Sequence, residues 1–306
     1  MKHIFIINPC AGGEDHSQTI ADEVKTMDVT AEIYITLGEK DATRYVEDYC
    51  RQHPCENVRF YACGGDGTLN EVVSGSIGHE GAEVTCYPCG SGNDYVRYWD
   101  GVDFHHIKGL IEAPAVEVDV MKVCYYDGPN LKVCYALNTM NYGFEAEVCR
   151  AMDDVRRKPF IGGRMAYTTG IVKSLFAGRH NPCRFTVDGR LWKEGDLLLA
   201  SMANGRYEGG GFLSAPRSKN DDGLLEITAI RPISIVRFAS IIGDYKSGKY
   251  LDRTDLQDIV SHCRGRQVTI EHDSPFYIGI DGELLRGNYF EVENLPRVLR
   301  FAVPKK

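Results

Sequence analysis

The sequence predicts an α/β domain followed by a mostly antiparallel β domain. Three observations carry this. In the first third, apolar runs rich in β-branched and aromatic residues alternate with helix-like stretches, as strand–helix–strand folds require. Near residue 114 the character changes, and strand-like runs follow one another with few helix-like breaks. Asp-Gly pairs at 127–128, 188–189 and 281–282 sit between several of those runs, where hairpin turns need residues that accept positive φ. The expected boundaries are 1–118 for the first domain and 119–293 for the second, with the C-terminal segment 294–306 rejoining the first.

The elements follow in order. The first strand is 3–7 (HIFII), and a helix-like stretch lies near 15–27. Strand 31–36 (AEIYIT) precedes a helix over 40–52, in which Ala42, Tyr45, Val46 and Tyr49 share one face. Strand 58–63 (VRFYAC), a helix over 68–77 and strand 83–87 (EVTCY) complete this part. Three strand ends run into polar or glycine-rich turns, "NPCAGG", "TLGEKD" and "GGDGT", and ligand crevices in open α/β sheets lie at the carboxyl ends of strands. The second half predicts strands at 116–125, 131–141, 183–188, 196–203, 224–230, 267–271, 276–280 and 289–293, with helical segments only at 144–177 and 232–247. Alternation in 116–125 puts Val116, Val118 and Val120 on one face and Glu117 and Asp119 on the other, toward solvent.

Composition narrows the function. The 306 residues, 43% hydrophobic and 25% charged, are those of a globular chain with room for two cores. Lys and Arg total 35 against 43 for Asp and Glu, a net charge of −8, so no global basic field invites nucleic acid as a partner. No run of 18 apolar residues occurs, and the apolar block Ile4–Ile7 is too short for a signal-peptide core, so a cytoplasmic location is expected. With 11 cysteines and a lone C-x-x-C at Cys86–Cys89, reduced thiols are expected rather than disulfides or zinc.

The segment "FYACGGDGTLNEVVSG" (60–75) places Asp66 inside a glycine turn before a helix, where backbone N–H groups usually meet phosphate. It is not a P-loop, because no Lys follows the glycines, nor a dinucleotide fingerprint, because Asn70 stands at the third glycine site. Gly64, Gly65 and Gly67 allow positive φ and close approach of a ligand, and Thr68 is placed to cap a helix starting at Leu69. A plain turn in which Asp66 and Thr68 satisfy N–H groups fits the same residues. A second strand end, "YPCGSGNDYVRY" (87–98), repeats the pattern with Asp94 just past the turn. Two glycine turns, each with a carboxylate, make sense around a polyphosphate if Mg²⁺ lies between them: the backbone meets phosphate and Asp66 meets the metal, through water if need be.

"NPCAGG", "GGDGTLNEVVSG", "PCGSGNDYVR", "EVDVMKV", "NDDGLLEI" and "GIDGELL" occur in the order found in the diacylglycerol kinase catalytic family, and the chain most resembles its soluble bacterial lipid kinases. Sphingosine and ceramide kinases are related, and Gly-Gly-Asp-Gly-Thr alone is shared with NAD kinases. The resemblance implies an NAD-kinase/diacylglycerol-kinase-like fold, in which ATP binds between an α/β nucleotide-binding domain and a β-sandwich. It implies that Asn8, Pro9, Gly12, Thr36, Gly64, Gly65, Asp66, Gly67, Thr68, Asn70, Ser91, Gly92 and Asn93 line the nucleotide. Asp66, Asp94 and Asp119 match acidic positions around the catalytic Mg²⁺. Asp281 and Glu283 match the Asp-Gly-Glu element that carries the acceptor's base, without deciding which takes the proton, although Asp281-Gly282 also reads as a hairpin turn. Lys219 and Leu224 (by carbonyl oxygen) and Asp222 match a structural Mg²⁺ loop, for which a metal-free Asp-Asp-Gly turn is the alternative. "NGRYEGGGF" (204–212) implies close backbone packing or a mobile rim near the substrate cleft.

The expected reaction is transfer of the γ-phosphate of ATP, with Mg²⁺, to a lipid hydroxyl, diacylglycerol giving phosphatidic acid. A related kinase on a soluble acceptor such as NAD, and a nucleotide-binding regulator without catalysis, are the rivals. The stretch 150–179, with Arg156, Arg157, Lys158, Arg164 and Lys173 beside apolar residues at helical spacing, fits peripheral docking on the anionic inner face of the membrane, at about 1 kcal/mol per basic residue. A core-packed helix with a solvated basic face fits it equally. Oligomeric state leaves no trace in the sequence.

Overall fold

In the computed structural model, which describes residues 1–148, 150 and 180–306, the first half builds a parallel sheet. Strands β1 (Lys2–Ile7), β2 (Ala31–Ile35), β3 (Val58–Gly64) and β4 (Ala82–Pro88) lie in the order β2-β1-β3-β4. Ile4 to Ile7 are fully buried, as a strand covered on both faces requires. Helices α1 (Ser17–Lys25), α2 (Asp41–Gln52) and α3 (Asp66–Ser76) connect these strands, and a short α4 (Ile107–Glu112), which the sequence pattern did not announce, follows β4. The expected face of α2 holds in part: Ala42 and Val46 are buried, while Tyr45 and Tyr49 pack at the core's edge.

The second half is antiparallel. Strands β5 (Ala115–Asp127), β6 (Asn130–Ala136), β7 (Thr139–Gly143), β8 (Asn181–Val187), β9 (Arg190–Leu197), β10 (Leu199–Ala203), β11 (Leu225–Ile230), β12 (Val260–Gly265), β13 (Gln267–Ile280) and β14 (Glu283–Ala302) pair almost throughout with opposite sense. All three Asp-Gly pairs make hairpins, and Asp188 and Asp281 hold φ of 47° and 44°. One helix, α5 (Ile235–Lys246), lies within the predicted 232–247. The predicted strand 131–141 is two strands, broken at Leu137 and Asn138. Runs 267–271 and 276–280 are one strand with an irregular register between Glu271 and Phe276. β9 begins six residues before the predicted 196, and β12 was not predicted.

β14 joins the two halves. Its first part pairs with β13, and its last residues pair parallel with β4, through Arg300↔Glu83 and Phe301↔Val84. Glu83 stands between Arg59 on β3 and Arg300, and its carboxylate binds both guanidinium groups. Arg59 also donates to the carbonyls of Leu110, Ile111 and Ala113, which seats the end of α4. Midway, the β5–β14 register breaks between Leu295 and Leu299, around Pro296 and Arg297 (φ 56°). Asp119 secures this break and is fully buried, not solvent-facing as alternation suggested. Its carboxylate accepts from the N–H groups of Arg297 and Gly223 and from the Asn294 amide, at 2.8, 2.7 and 3.0 Å.

Candidate active site

Three turns meet at the carboxyl ends of β1, β3 and β4. Gly12 (φ 69°) sits so close to the second glycine turn that a Cβ would lie 2.1 Å from the Cys89 carbonyl oxygen. A Cβ on Gly90 would lie 2.3 Å from the Gly65 Cα, so the two glycine turns touch backbone to backbone. At Gly64 a Cβ would overlap the Thr68 hydroxyl at 2.3 Å. None of Gly64, Gly65 and Gly67 takes positive φ; what Gly64 and Gly65 allow is close approach. α3 starts at Asp66 with Gly65 as its N-cap, so Thr68 lies inside the first turn rather than capping it, and its hydroxyl accepts from the Asn8 amide at 3.1 Å. The unpaired N–H groups at the start of α3 face this junction.

Asp66 has a visible task in the turn. Its Oδ1 accepts from the N–H groups of Asp94 and Tyr95 at 2.8 and 3.2 Å, so the first glycine turn holds the second. Oδ2 has no such bond and would lie 2.8 Å from a Cβ placed on Gly92. Asp94 Oδ2 accepts from Gly210 N–H at 2.8 Å, which brings in the "YEGGG" turn of the second half. Asp94 Oδ1 is buried, 3.3 Å from Arg97 Nε but without a hydrogen-bond partner, and burial raises its pKa. Asp66 Oδ2 and Asp94 Oδ1 are left without hydrogen bonds, and Mg²⁺, which keeps most of its waters and takes few carboxylates, suits such a pair only where Arg97 gives way to it. Among the described residues no group of three or more His, Cys, Asp or Glu gathers to hold a metal.

Asp281 is cradled on the other side. Its Oδ1 accepts from Asn138 and Thr139 N–H at 3.1 and 2.9 Å, and its Oδ2 from Leu137 N–H and the Asn70 amide at 2.6 and 2.9 Å. This cradle is why the predicted strand 131–141 breaks: the N–H groups at the break turn to a carboxylate instead of a neighbouring strand. Burial pushes the Asp281 pKa up, and the converging N–H donors pull it back. Glu283, two residues on, is raised by desolvation and by the like charges of Glu71, Glu39 and Asp281.

These groups line one cleft of about 850 Å³. Asn8, Gly12, Gly65 to Thr68 and Gly90 to Gly92 form one end. The other end is an apolar arm between the β sheet and α5, walled by Phe144, Leu199, Phe212, Phe238, Ile241 and Ile242. Asp66, Asp94, Glu145, Glu208, Asp281 and Glu283 line the cleft, and no Lys, Arg or His does so among the described residues.

The remaining predicted residues fall outside that lining. Pro9, Gly64, Asn70 and Asn93 are adjacent to or bonded with lining residues, whereas Thr36 ends β2 with its N–H on the Ile7 carbonyl. Asp119 is turned to the β14 break rather than to Asp66 and Asp94. In the 219–224 loop, Asp222 accepts from Leu224 N–H and pairs with the Arg264 guanidinium, so a cationic group already occupies the carboxylate meant for a structural metal. That arrangement does not fit Mg²⁺ at this loop. The segment proposed for membrane docking, apart from Arg150, lies outside the described residues.

Two domain models match the chain: the diacylglycerol kinase catalytic domain over residues 2–123, and the YegS C-terminal NAD kinase β-sandwich-like domain over 138–303. The chain belongs to this YegS-like lipid kinase family. A "Probable lipid kinase YegS-like" of Xanthomonas axonopodis pv. citri (strain 306) is 27% identical over 285 residues, covering 90% of this chain and 87% of the relative. A "Probable lipid kinase YegS" of Escherichia coli O17:K52:H18 is 28% identical over 282 residues, with the same coverage. Among solved structures, a diacylglycerol kinase from Bacillus anthracis str. Sterne aligns with TM-score 0.68 at 21% identity, over 99% of this chain and 96% of that one. Yeast NADH kinase, solved with NADH, aligns with TM-score 0.58 at 12% identity, over 100% and 84%. The lipid kinase family therefore has here the predicted architecture, an α/β domain and a β-sandwich.

Sequence reading missed the apolar arm and the carboxylates Glu145 and Glu208. Glu208 does lie in the "NGRYEGGGF" segment read as a cleft rim, where Gly209, Gly210 and Gly211 all take positive φ. Among the described residues no helix is long and apolar enough to cross a membrane.

Proposed function

We propose that the chain transfers the γ-phosphoryl group of ATP to the hydroxyl of a lipid alcohol, with Mg²⁺. The observation that carries this reading is the composition of this cleft: glycine turns at one end, an apolar arm at the other, and carboxylates between. Residues 1–118 with 294–306 supply the nucleotide end, and 119–293 supply the acceptor end. A triphosphate beside Asp66 and Asp94 needs cations, and no described lining residue supplies one. Mg²⁺ held near Asp66 and Asp94, directly or through water, would neutralise the phosphate charge that develops in transfer. The amides at the start of α3, with Asn8, Gly12, Ser91 and Gly92, hold the phosphates.

The acceptor's chain lies in the apolar arm, which brings its hydroxyl toward Asp281 and Glu283. Asp281 already accepts four N–H donors, so it orients rather than abstracts. Glu283, whose pKa burial raises and which is not used in that cradle, takes the hydroxyl proton. Diacylglycerol, which would become phosphatidic acid, is the acceptor that the family resemblance points to and the first to assay. An apolar arm of this kind has no use in phosphorylating a soluble dinucleotide.

The test is transfer from γ-labelled ATP in mixed micelles of lipid alcohols, with NAD as soluble control, with and without Mg²⁺. Labelled lipid that needs Mg²⁺ and is lost in Asp66→Ala supports the reading. Labelled NAD, or tight ATP binding without any labelled product, refutes it.

A further inference from the structure

Where the apolar arm meets the phosphate end, the hydroxyl of Tyr245 donates toward two carboxylates, Glu145 Oε1 at 2.8 Å and Glu208 Oε1 at 3.1 Å. Glu208 is only 8% exposed. The second oxygen of each, Glu145 Oε2 and Glu208 Oε2, is buried and has no hydrogen-bond partner among the described residues. Asn141 lines the same cleft, and its Oδ1 is likewise buried and unpartnered. Around them stand Phe144, Phe212, Ile241 and Tyr250, and no Lys, Arg or His among the described residues lines the cleft.

Every one of these unpaired atoms is an acceptor. A ligand that satisfies them must bring N–H or O–H donors and needs no acceptor of its own. Two facing carboxylates also call for positive charge, because an isolated buried carboxylate is costly unless paired. A primary ammonium has three donors, no acceptor and a single positive charge. The cluster lines the same cleft as the apolar arm, which would take a chain, and as Asp281 and Glu283, which would meet a hydroxyl.

We infer that Glu145, Glu208 and Tyr245 form an ammonium subsite, and that the acceptor is a long-chain lipid alcohol that also carries a protonated amine. This rests on the lipid-kinase reading above and adds a requirement that diacylglycerol does not meet. Burial and the neighbouring Glu208 raise the pKa of Glu145 well above the ordinary carboxyl range. An ammonium bound there favours the ionised form of Glu145, so affinity for the amine is expected to rise with pH until the amine itself loses its charge.

Equilibrium binding to the whole chain tests this without turnover. The probes are a long-chain 2-amino alcohol and its N-acetyl derivative, identical in chain and hydroxyl but uncharged. The amine is expected to bind at least tenfold more tightly, and this preference is expected to disappear in Glu145→Gln and in Glu208→Gln, which keep the side-chain volume. Tyr245→Phe, which keeps the ring in the core and removes only the hydroxyl, is expected to reduce the preference about threefold. Equal binding of the two probes, or a preference that survives both Gln variants, overturns the proposal. So does displacement of the amine by millimolar Mg²⁺, which would make the cluster a metal site. Tight amine binding without phosphate transfer to either probe would sustain the subsite while refuting the kinase reading on which its biological use depends.

Discussion

Replacing Asp281 by Asn keeps the shape of the side chain and exchanges one acceptor oxygen for a donor. Such a variant is ordinarily made to test a catalytic carboxylate, yet here it first perturbs the fold. If the new amide nitrogen replaces Oδ1, it faces the N–H groups of Asn138 and Thr139. If it replaces Oδ2, it faces Leu137 N–H and the Asn70 amide, which is held from turning over because the same Nδ2 donates to the Tyr135 carbonyl. In the first arrangement Asn138 N–H still reaches Oδ2 and Thr139 N–H is left without an acceptor; in the second Leu137 N–H is, while Asn70 keeps the Tyr135 carbonyl. An orphaned buried donor costs about 1–3 kcal/mol, and losing the charge on the remaining bonds adds about 1 kcal/mol. The expected destabilisation is about 2–4 kcal/mol, or a drop of roughly 3–6 °C in the thermal midpoint for a chain of this size. Differential scanning calorimetry of the two proteins measures it, and amide exchange at Leu137 and Thr139 localises it. A midpoint within a degree of wild type, with exchange at both amides unchanged, would refute the view that this carboxylate holds the β6–β7 break.

Gly90→Ala drives a methyl to 2.3 Å from the Gly65 Cα. The two turns must part by more than 1 Å, at about 1–3 kcal/mol of overpacking, and transfer is expected to fall roughly a hundredfold with ATP affinity the most affected parameter. Titration of ATP against the variant checks this. Ile242→Asp places a carboxylate in the apolar arm and is expected to raise the KM for lipid more than tenfold while the KM for ATP stays within twofold, read from initial rates in mixed micelles. Glu145 carries a pH signature. The folded chain retains a proton there that the unfolded chain releases above the ordinary value of 4.5, so stability falls as pH rises from that value toward the raised one. Glu145→Gln removes this loss, and its thermal midpoint relative to wild type is expected to climb between pH 5 and 8; a constant difference across that range would contradict the burial argument.

Local pattern alone determined the strand–helix alternation of the first half, the three Asp-Gly hairpins and the two glycine turns, because propensity, positive φ and periodicity act over a few residues. The family resemblance was legible for the same reason: its motifs are short and sit in single turns. Only the tertiary structure decided what the carboxylates do, because their partners lie far away in sequence. Asp66 meets the N–H groups of Asp94 and Tyr95, Asp281 meets residues more than a hundred positions earlier, and Asp119 leaves the expected metal group to hold a break in β14. The parallel join of β14 to β4 rests on Glu83 standing between Arg59 and Arg300, three charges that read as ordinary surface residues until the strands pair. The Glu145–Glu208–Tyr245 cluster was equally invisible, since burial is what gives two unremarkable glutamates their charge problem, and burial is a property of the assembled chain.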